Sequence, residues 1–148
     1  MDAEKQQAAI TPAAAEEADR EFHFAEGVFG FPAAQYFTLA PYLPPDGSAS
    51  PFMLLQAKDA DLCFPLIPPD LLMPNYIISP PADLLARLDA NSTADLVALA
   101  IVTLRDQVEQ ITVNLQGPLL LNPRSRLGCQ FVAEQYPLRY PLIVSPQA

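Results

Sequence analysis

The chain has no tryptophan, one histidine, two cysteines, five glycines, and only eight Lys and Arg against seventeen Asp and Glu. Each shortage excludes something. Cys63 and Cys129 lie far apart, and neither has a Cys or His neighbour at metal-ligand spacing. Neither a zinc knuckle nor a disulfide framework is therefore expected. Each sits in an apolar run, which reads as a pair of buried free thiols in a reducing cytosol. The shortage of cations leaves a net charge of -9. Such a surface repels phosphate backbones, so direct nucleic-acid binding is not expected. No run of about 18 apolar residues is present, and no basic segment precedes an apolar one at the N-terminus. Neither a membrane span nor a signal peptide is expected, and the expected location is cytoplasmic. The GxSxG, HExxH, CxxC, GxGxxG and P-loop patterns are all missing. That favours a binding protein over an enzyme, without excluding a site assembled from distant residues.

Proline is abundant instead, with 17 among 148 residues. An interior proline costs a helix roughly 3 kcal/mol, so long helices are disfavoured. Short strands with proline at their ends and edges fit better. Hydrophobic residues make up 51% and charged residues 17%, so most of the chain is expected to fold. The negative charge is uneven. Residues 1–21 hold six acids against two bases, and residues 46–95 hold seven aspartates against Lys58 and Arg87, while residues 96–148 are slightly positive. An acidic surface favours a basic protein partner, or it only keeps an apolar domain soluble.

Residues 1–20 are rich in Ala, Glu and Gln without apolar periodicity, and read as a flexible N-terminal tail. Residues 21–148 read as a single domain. Phe22 and Phe24 flank His23 with the period of two of a half-buried strand. Gly27 and Gly30 bracket Val28 and Phe29. There is no lysine and no helix signal after them, so a phosphate loop is excluded, and Phe29 and Phe31 read as an apolar plug or contact patch. Residues 35–42, 51–57 and 62–67 read as strands, the last two forming a hairpin around Lys58, Asp59, Ala60 and Asp61. Ser79, Pro80 and Asp83 read as a helix start, with Leu84, Leu85 and Leu88 on one face and Asn91 closing it. The scaffold is expected in residues 97–122. Residues 97–104 are apolar on both faces. Residues 111–115 alternate, with Ile111, Val113 and Leu115 inward and Thr112 and Asn114 outward. Residues 118–121 form a further buried run after Gly117 and Pro118. Residues 127–133 alternate again, and residues 140–144 add a last strand or extended tail. About nine short strands with one or two helices define an all-β, mostly antiparallel fold, a small partly open barrel or pseudo-barrel.

His23 reads as a general base or as a strand residue facing solvent. Asp59 and Asp61 read as a carboxylate pair or as a solvated turn; a calcium loop needs more oxygen ligands at set spacing. Aromatic residues and arginine are favoured at interfaces, which directs attention to residues 27–31 and 136–140.

The ordered motifs resemble a known family. Phe24, Gly27, Gly30 and Phe31 are similar to the F-x-x-G-x-x-G-F of the bacterial flagellar assembly factor FliW. Pro51, Phe52, Leu55 and Gln56 resemble its P-F-x-x-L-Q strand. Asp59, Leu62 and Phe64 resemble its D-P-x-L-A-F, with Ala60 in place of the proline. Thr112, Asn114, Leu115, Pro118 and Asn122 resemble its T-x-N-L-x-A-P-I-x-I-N. Gly128 with Gln130, and Tyr136 with Arg139 and Pro141, resemble its closing G-x-Q and Y-x-x-R-x-P. The similarity runs in order through about residues 21–142. Leu54 stands where the family often has tryptophan, and the tail is extra. The resemblance implies a cytosolic, non-enzymatic β-barrel adaptor without cofactor or metal. It would bind flagellin before export and, when free, bind the translational repressor CsrA, a small basic RNA-binding protein. Charge complementarity suits that second partner. The candidate partner-binding residues are Phe29, Phe31, Asp59, Asp61, Thr112, Asn114, Tyr136 and Arg139, with no catalytic residue. The alternative is a ligand-binding or enzymatic barrel with a site around His23, Asp59 and Asp61.

Overall fold

The computed structural model describes residues 20–142. The tail expected over residues 1–20 lies outside them except for Arg20, as do residues 143–148. Among the described residues there are eight strands: β1 (Glu21–Phe24), β2 (Tyr36–Pro41), β3 (Met53–Ala57), β4 (Cys63–Ile67), β5 (Val97–Thr103), β6 (Thr112–Asn122), β7 (Leu127–Gln130) and β8 (Tyr140–Pro141). A short helix, α1 (Ala82–Arg87), precedes β5.

Seven strands close into a barrel in the order β5-β4-β3-β2-β1-β7-β6, with β6 pairing back to β5 and β8 attached to β6. All pairs are antiparallel except β1 with β7. That parallel seam is narrow, pairing His23 with Leu127 and Phe24 with Gly128. Gly128 is required there because a Cβ would lie 2.6 Å from the Phe24 ring. The seam therefore closes over a fully buried aromatic, and the small residue opposite makes the room.

Alternation fills the interior. Phe22, Phe24, Phe37, Leu39, Leu55, Leu66, Leu99, Leu119 and Leu121 form one buried cluster inside the barrel. Fully burying each such side chain stabilises by roughly 1.5–3 kcal/mol. The strands β5 and β6 are also covered outside. Leu84 of α1 and Leu88 just after it pack against Leu120. Ile67, Ala100, Val102, Val113 and Leu115 pack beneath Tyr76, Tyr136 and Tyr140. This double coverage is why both faces of β5 are apolar in sequence.

Four local expectations need correction. The runs at 111–115 and 118–121 are one strand of 11 residues. Gly117 and Pro118 do not end it, because the ladder shifts there: Leu99 pairs with Leu119, and two residues on, Ile101 pairs with Asn114. Asn114 Oδ1 accepts the amides of Gln116 at 3.0 Å and Gly117 at 2.8 Å and so holds the kink. Pro118, which lacks an N–H, occupies the shifted segment, where no ladder bond is lost. The strand count is consequently eight among the described residues. The helix starts at Ala82 with Pro81 as its cap residue, not at Ser79, since a residue before proline is held extended. It ends at Arg87, well before Asn91, with Leu88 as its cap residue, and Asp89 follows in a left-handed conformation at φ 57°. The thiols are not both buried: Cys63 is exposed and Cys129 half-buried. Cys63 stands opposite the exposed Gln56 on the outer face, while Phe64 packs against the barrel core.

Candidate partner-binding surface

Residues 25–34 leave β1 as a tightly bonded loop. The amide of Gly27 donates to Phe24 O at 2.9 Å, that of Phe31 to Val28 O at 2.7 Å, and that of Ala34 to Phe31 O at 3.2 Å. Gln35 Nε2 donates to Ala25 O at 2.9 Å. Gly27 has φ 69°, and a Cβ on it would lie 2.5 Å from Phe31 O, so only glycine fits. Val28 is buried at 2% exposure, whereas its neighbours Phe29 and Phe31 are 57% and 40% exposed. The plug is thus Val28, whereas Phe29 and Phe31, which read from sequence as an apolar plug or contact patch, are outside. Phe31 is not loose: its ring meets Phe64 edge-on at 5.6 Å, and Phe64 in turn contacts Phe37 at 6.3 Å.

The tip of the β3–β4 hairpin lies beside this loop. Together they enclose a shallow groove of about 340 Å³, with Gly30, Phe31 and Ala34 on one wall and Asp59, Ala60 and Leu62 on the other. The structure therefore unites two candidates that are distant in sequence, Phe31 and Asp59, with Asp61 two residues along the same hairpin tip. Both aspartates are exposed. The adjacent Lys58 is turned to Glu21, with Nζ 2.6 Å from its carboxylate. Among the described residues no hydrogen bond or ion pair engages the side chain of Asp59 or Asp61. His23 is elsewhere: its ring stacks on Tyr36 at 4.5 Å and 10°. The groove lining includes neither His23 nor Asp61. Among the described residues no three His, Cys, Asp or Glu side chains converge as metal ligands.

The other candidates cluster at the β6–β8 end. Thr112 is half-buried between Thr103 on one side and Pro141 on the other. Asn114 is occupied by the kink. Tyr136 Oη accepts the Ile77 amide at 2.7 Å and donates to Ile77 O at 3.0 Å. Its ring lies 4.2 Å from that of Tyr76. Tyr76 Oη donates to Leu115 O at 2.7 Å, and burial, followed by the neighbouring Tyr136, pushes its pKa well above the ordinary phenol value. These contacts tie residues 74–79 and 136–141 over the outer face of β6. Arg139 is exposed.

Gln130 joins the two regions. Its Oε1 accepts the Phe29 amide at 2.8 Å, and its Nε2 donates to Gly117 O at 2.8 Å. Gly117 is the residue that Asn114 holds. A continuous path of hydrogen bonds thus runs from the aromatic loop to the kink. In sequence Gln130 is marked only by the G-x-Q motif; with a contact 101 residues away, no local pattern exposes its role.

These features define a small closed β-barrel, filled with side chains, that displays a rigid aromatic loop next to an acidic hairpin. Comparison with known proteins is specific. The family model described as FliW protein matches residues 5–142. The flagellar assembly factor FliW of Moorella thermoacetica is 36% identical over 124 residues, covering 81% of this chain and 76% of the relative. That of Caldicellulosiruptor saccharolyticus is 33% identical over 120 residues, covering 79% and 76%. The crystal structure of a flagellar assembly factor FliW superposes with a TM-score of 0.70 at 26% identity, covering 89% of this chain and 87% of that one. The chain belongs to the FliW family, whose named relatives are flagellar assembly factors.

Proposed function

We propose that this protein is a cytoplasmic, non-enzymatic adaptor in flagellar assembly that binds flagellin and, when free of it, binds the repressor CsrA and relieves silencing of its target mRNA. Family membership over nearly the whole chain carries the reading. The surface supports it: exposed Phe29 and Phe31 offer apolar contact area on a bonded loop, and Asp59 and Asp61 offer negative charge that suits a basic RNA-binding protein. Competition between the two partners couples flagellin synthesis to its use. Among the described residues no helix is long and apolar enough to cross a membrane.

The test uses purified cognate CsrA, labelled leader RNA and flagellin. Adding the protein is expected to lower the apparent affinity of CsrA for RNA, and adding flagellin is expected to restore it. Unchanged RNA binding, together with no flagellin complex in gel filtration, sinks the reading.

A further inference from the structure

We propose that the groove between the aromatic loop and the β3–β4 hairpin tip is the docking site for a basic, apolar segment of the repressor, not for flagellin. This rests on the function proposed above and assigns one of its two partners to a place. Three observations lead to it. The floor and walls are small or apolar at Gly30, Ala34, Ala60 and Leu62, so there is room for one bulky side chain. Exposed Asp59 lines the groove, exposed Asp61 follows two residues along the same hairpin tip, and the lysine beside them is held by Glu21, so the local charge stays negative. The loop is fixed by its own hydrogen bonds and by Gln130, so the cleft exists before a partner arrives and little ordering is needed on binding.

The occupant follows from the charge. A protein that grips RNA must carry lysine and arginine to neutralise phosphates. Such a protein meets an anionic rim with favourable long-range attraction. The apolar side chain that fills the cleft then supplies a contact that salt does not screen. Ala60 is exposed in the groove wall, so enlarging it fills the cleft without entering the barrel core.

The experiment has two arms. In the first, amide shifts are mapped on the full-length protein with the synthetic peptides Ac-Lys-Arg-Leu-Phe-Lys-Arg-NH₂ and Ac-Glu-Asp-Leu-Phe-Glu-Asp-NH₂. Shifts at residues 30–34 and 59–62 with the basic peptide alone support the groove. No shifts, shifts elsewhere, or equal shifts with both peptides overturn it. In the second arm, Ala60→Phe is compared with the wild type for binding to CsrA and to flagellin, its fold checked by circular dichroism and by melting. The expected result is at least a tenfold loss of CsrA affinity with flagellin affinity unchanged. Full CsrA affinity in the variant overturns the assignment, and loss of flagellin binding alone gives the groove to flagellin and overturns it equally. Should the wild type bind no CsrA at all, the proposed repressor function fails on its own account, and so does the assignment of this occupant, whereas the peptide arm still decides whether the groove takes basic, apolar chains.

Discussion

Replacing Gln130 by alanine cuts the path between the aromatic loop and the strand kink, and the structure sets the size of the effect. Two hydrogen bonds are lost, each of 2.8 Å. The Phe29 amide is at an exposed residue, where water substitutes for the lost acceptor, so that bond contributes about 0.5–1 kcal/mol. Gly117 is buried. Its carbonyl is left without the Gln130 donor in a place water reaches poorly, which costs about 1–2 kcal/mol. The sum is about 1.5–3 kcal/mol, and for a domain of this size roughly 3 °C per kcal/mol gives a Tm lower by roughly 5–9 °C. Melting followed by circular dichroism reads the total. Hydrogen exchange at the Phe29 amide separates the two bonds, because that proton should lose protection in Gln130→Ala. In Gln130→Glu the carboxylate still accepts from Phe29 but no longer donates to Gly117, so stability should fall while Phe29 stays protected. If Gln130→Ala melts within about 1 °C of the wild type and Phe29 exchange is unchanged, the linkage carries no energy and the loop is held by other contacts.

Four further outcomes are expected. Asn122→Ala should destabilise by about 2–3 kcal/mol in urea, since the buried carboxamide donates to Leu88 O at 2.8 Å and accepts the Arg124 amide at 3.0 Å; a change below about 0.5 kcal/mol refutes that role. Gly27→Ala should cost about 2 kcal/mol or more, because a side chain there combines φ 69° with a 2.5 Å approach to Phe31 O; an unchanged urea midpoint would contradict it. Burial pushes the Cys129 thiol up to about 11, so iodoacetamide at pH 8 should modify the exposed Cys63 and spare Cys129 in mass spectra of the native protein; double labelling at equal rates counts against the packing of Cys129 in the cluster of Leu84, Leu88 and Leu120. The double change Asp59→Lys with Asp61→Lys should slow association with CsrA and flatten its salt dependence, whereas an on-rate unchanged across salt removes the hairpin tip from the encounter surface.

What was legible in the sequence was mainly the strands whose alternation is local. Phe22 and Phe24 around His23 gave β1, and the polar reversal at Lys58–Asp61 gave the β3–β4 hairpin. The doubly apolar run gave the central position of β5. Three things were not legible, for one physical reason each. The closure of the barrel depends on a parallel contact between β1 and β7, some 100 residues apart, and periodicity carries no information about partners. The continuity of β6 through Gly117 and Pro118 depends on a side chain, Asn114, replacing ladder bonds; turn chemistry read correctly as a local signal was overridden by pairing on both sides. The start of α1 was displaced by the second of two prolines, because the rule for a proline at the first helical turn ignores the restriction that Pro81 places on Pro80. At the candidate surface, the exposure of Phe29 and Phe31 was anticipated, but the proximity of Phe31 to Asp59 was not, since it needs three strands to be in register. Thr112, Asn114 and Tyr136 were marked by their polarity or aromatic character, and the structure gives Asn114 and Tyr136 internal partners that account for both features.

The division of labour at the groove follows from magnitudes. Coulomb attraction between a surface aspartate and a cation at 4 Å is about 1 kcal/mol in water and is screened beyond about 8 Å at physiological salt. Two such groups steer an approach but do not hold a complex. Phe29 and Phe31, at 57% and 40% exposure, each leave on the order of 100 Å² available, and burying that area yields about 2–3 kcal/mol per ring. The apolar term is thus the larger and is insensitive to salt. Its benefit would be eroded if the loop had to be ordered on binding, at about 1–2 kcal/mol per residue fixed. The hydrogen bonds from Phe24 to Ala34, the buried Val28, the glycine at position 27 and the long reach of Gln130 all remove that cost before any partner arrives. Sequence features that looked unrelated, two spaced glycines near the start and a glutamine near the end, therefore serve one physical purpose: they keep two large apolar rings in solvent on a backbone held by its own hydrogen bonds.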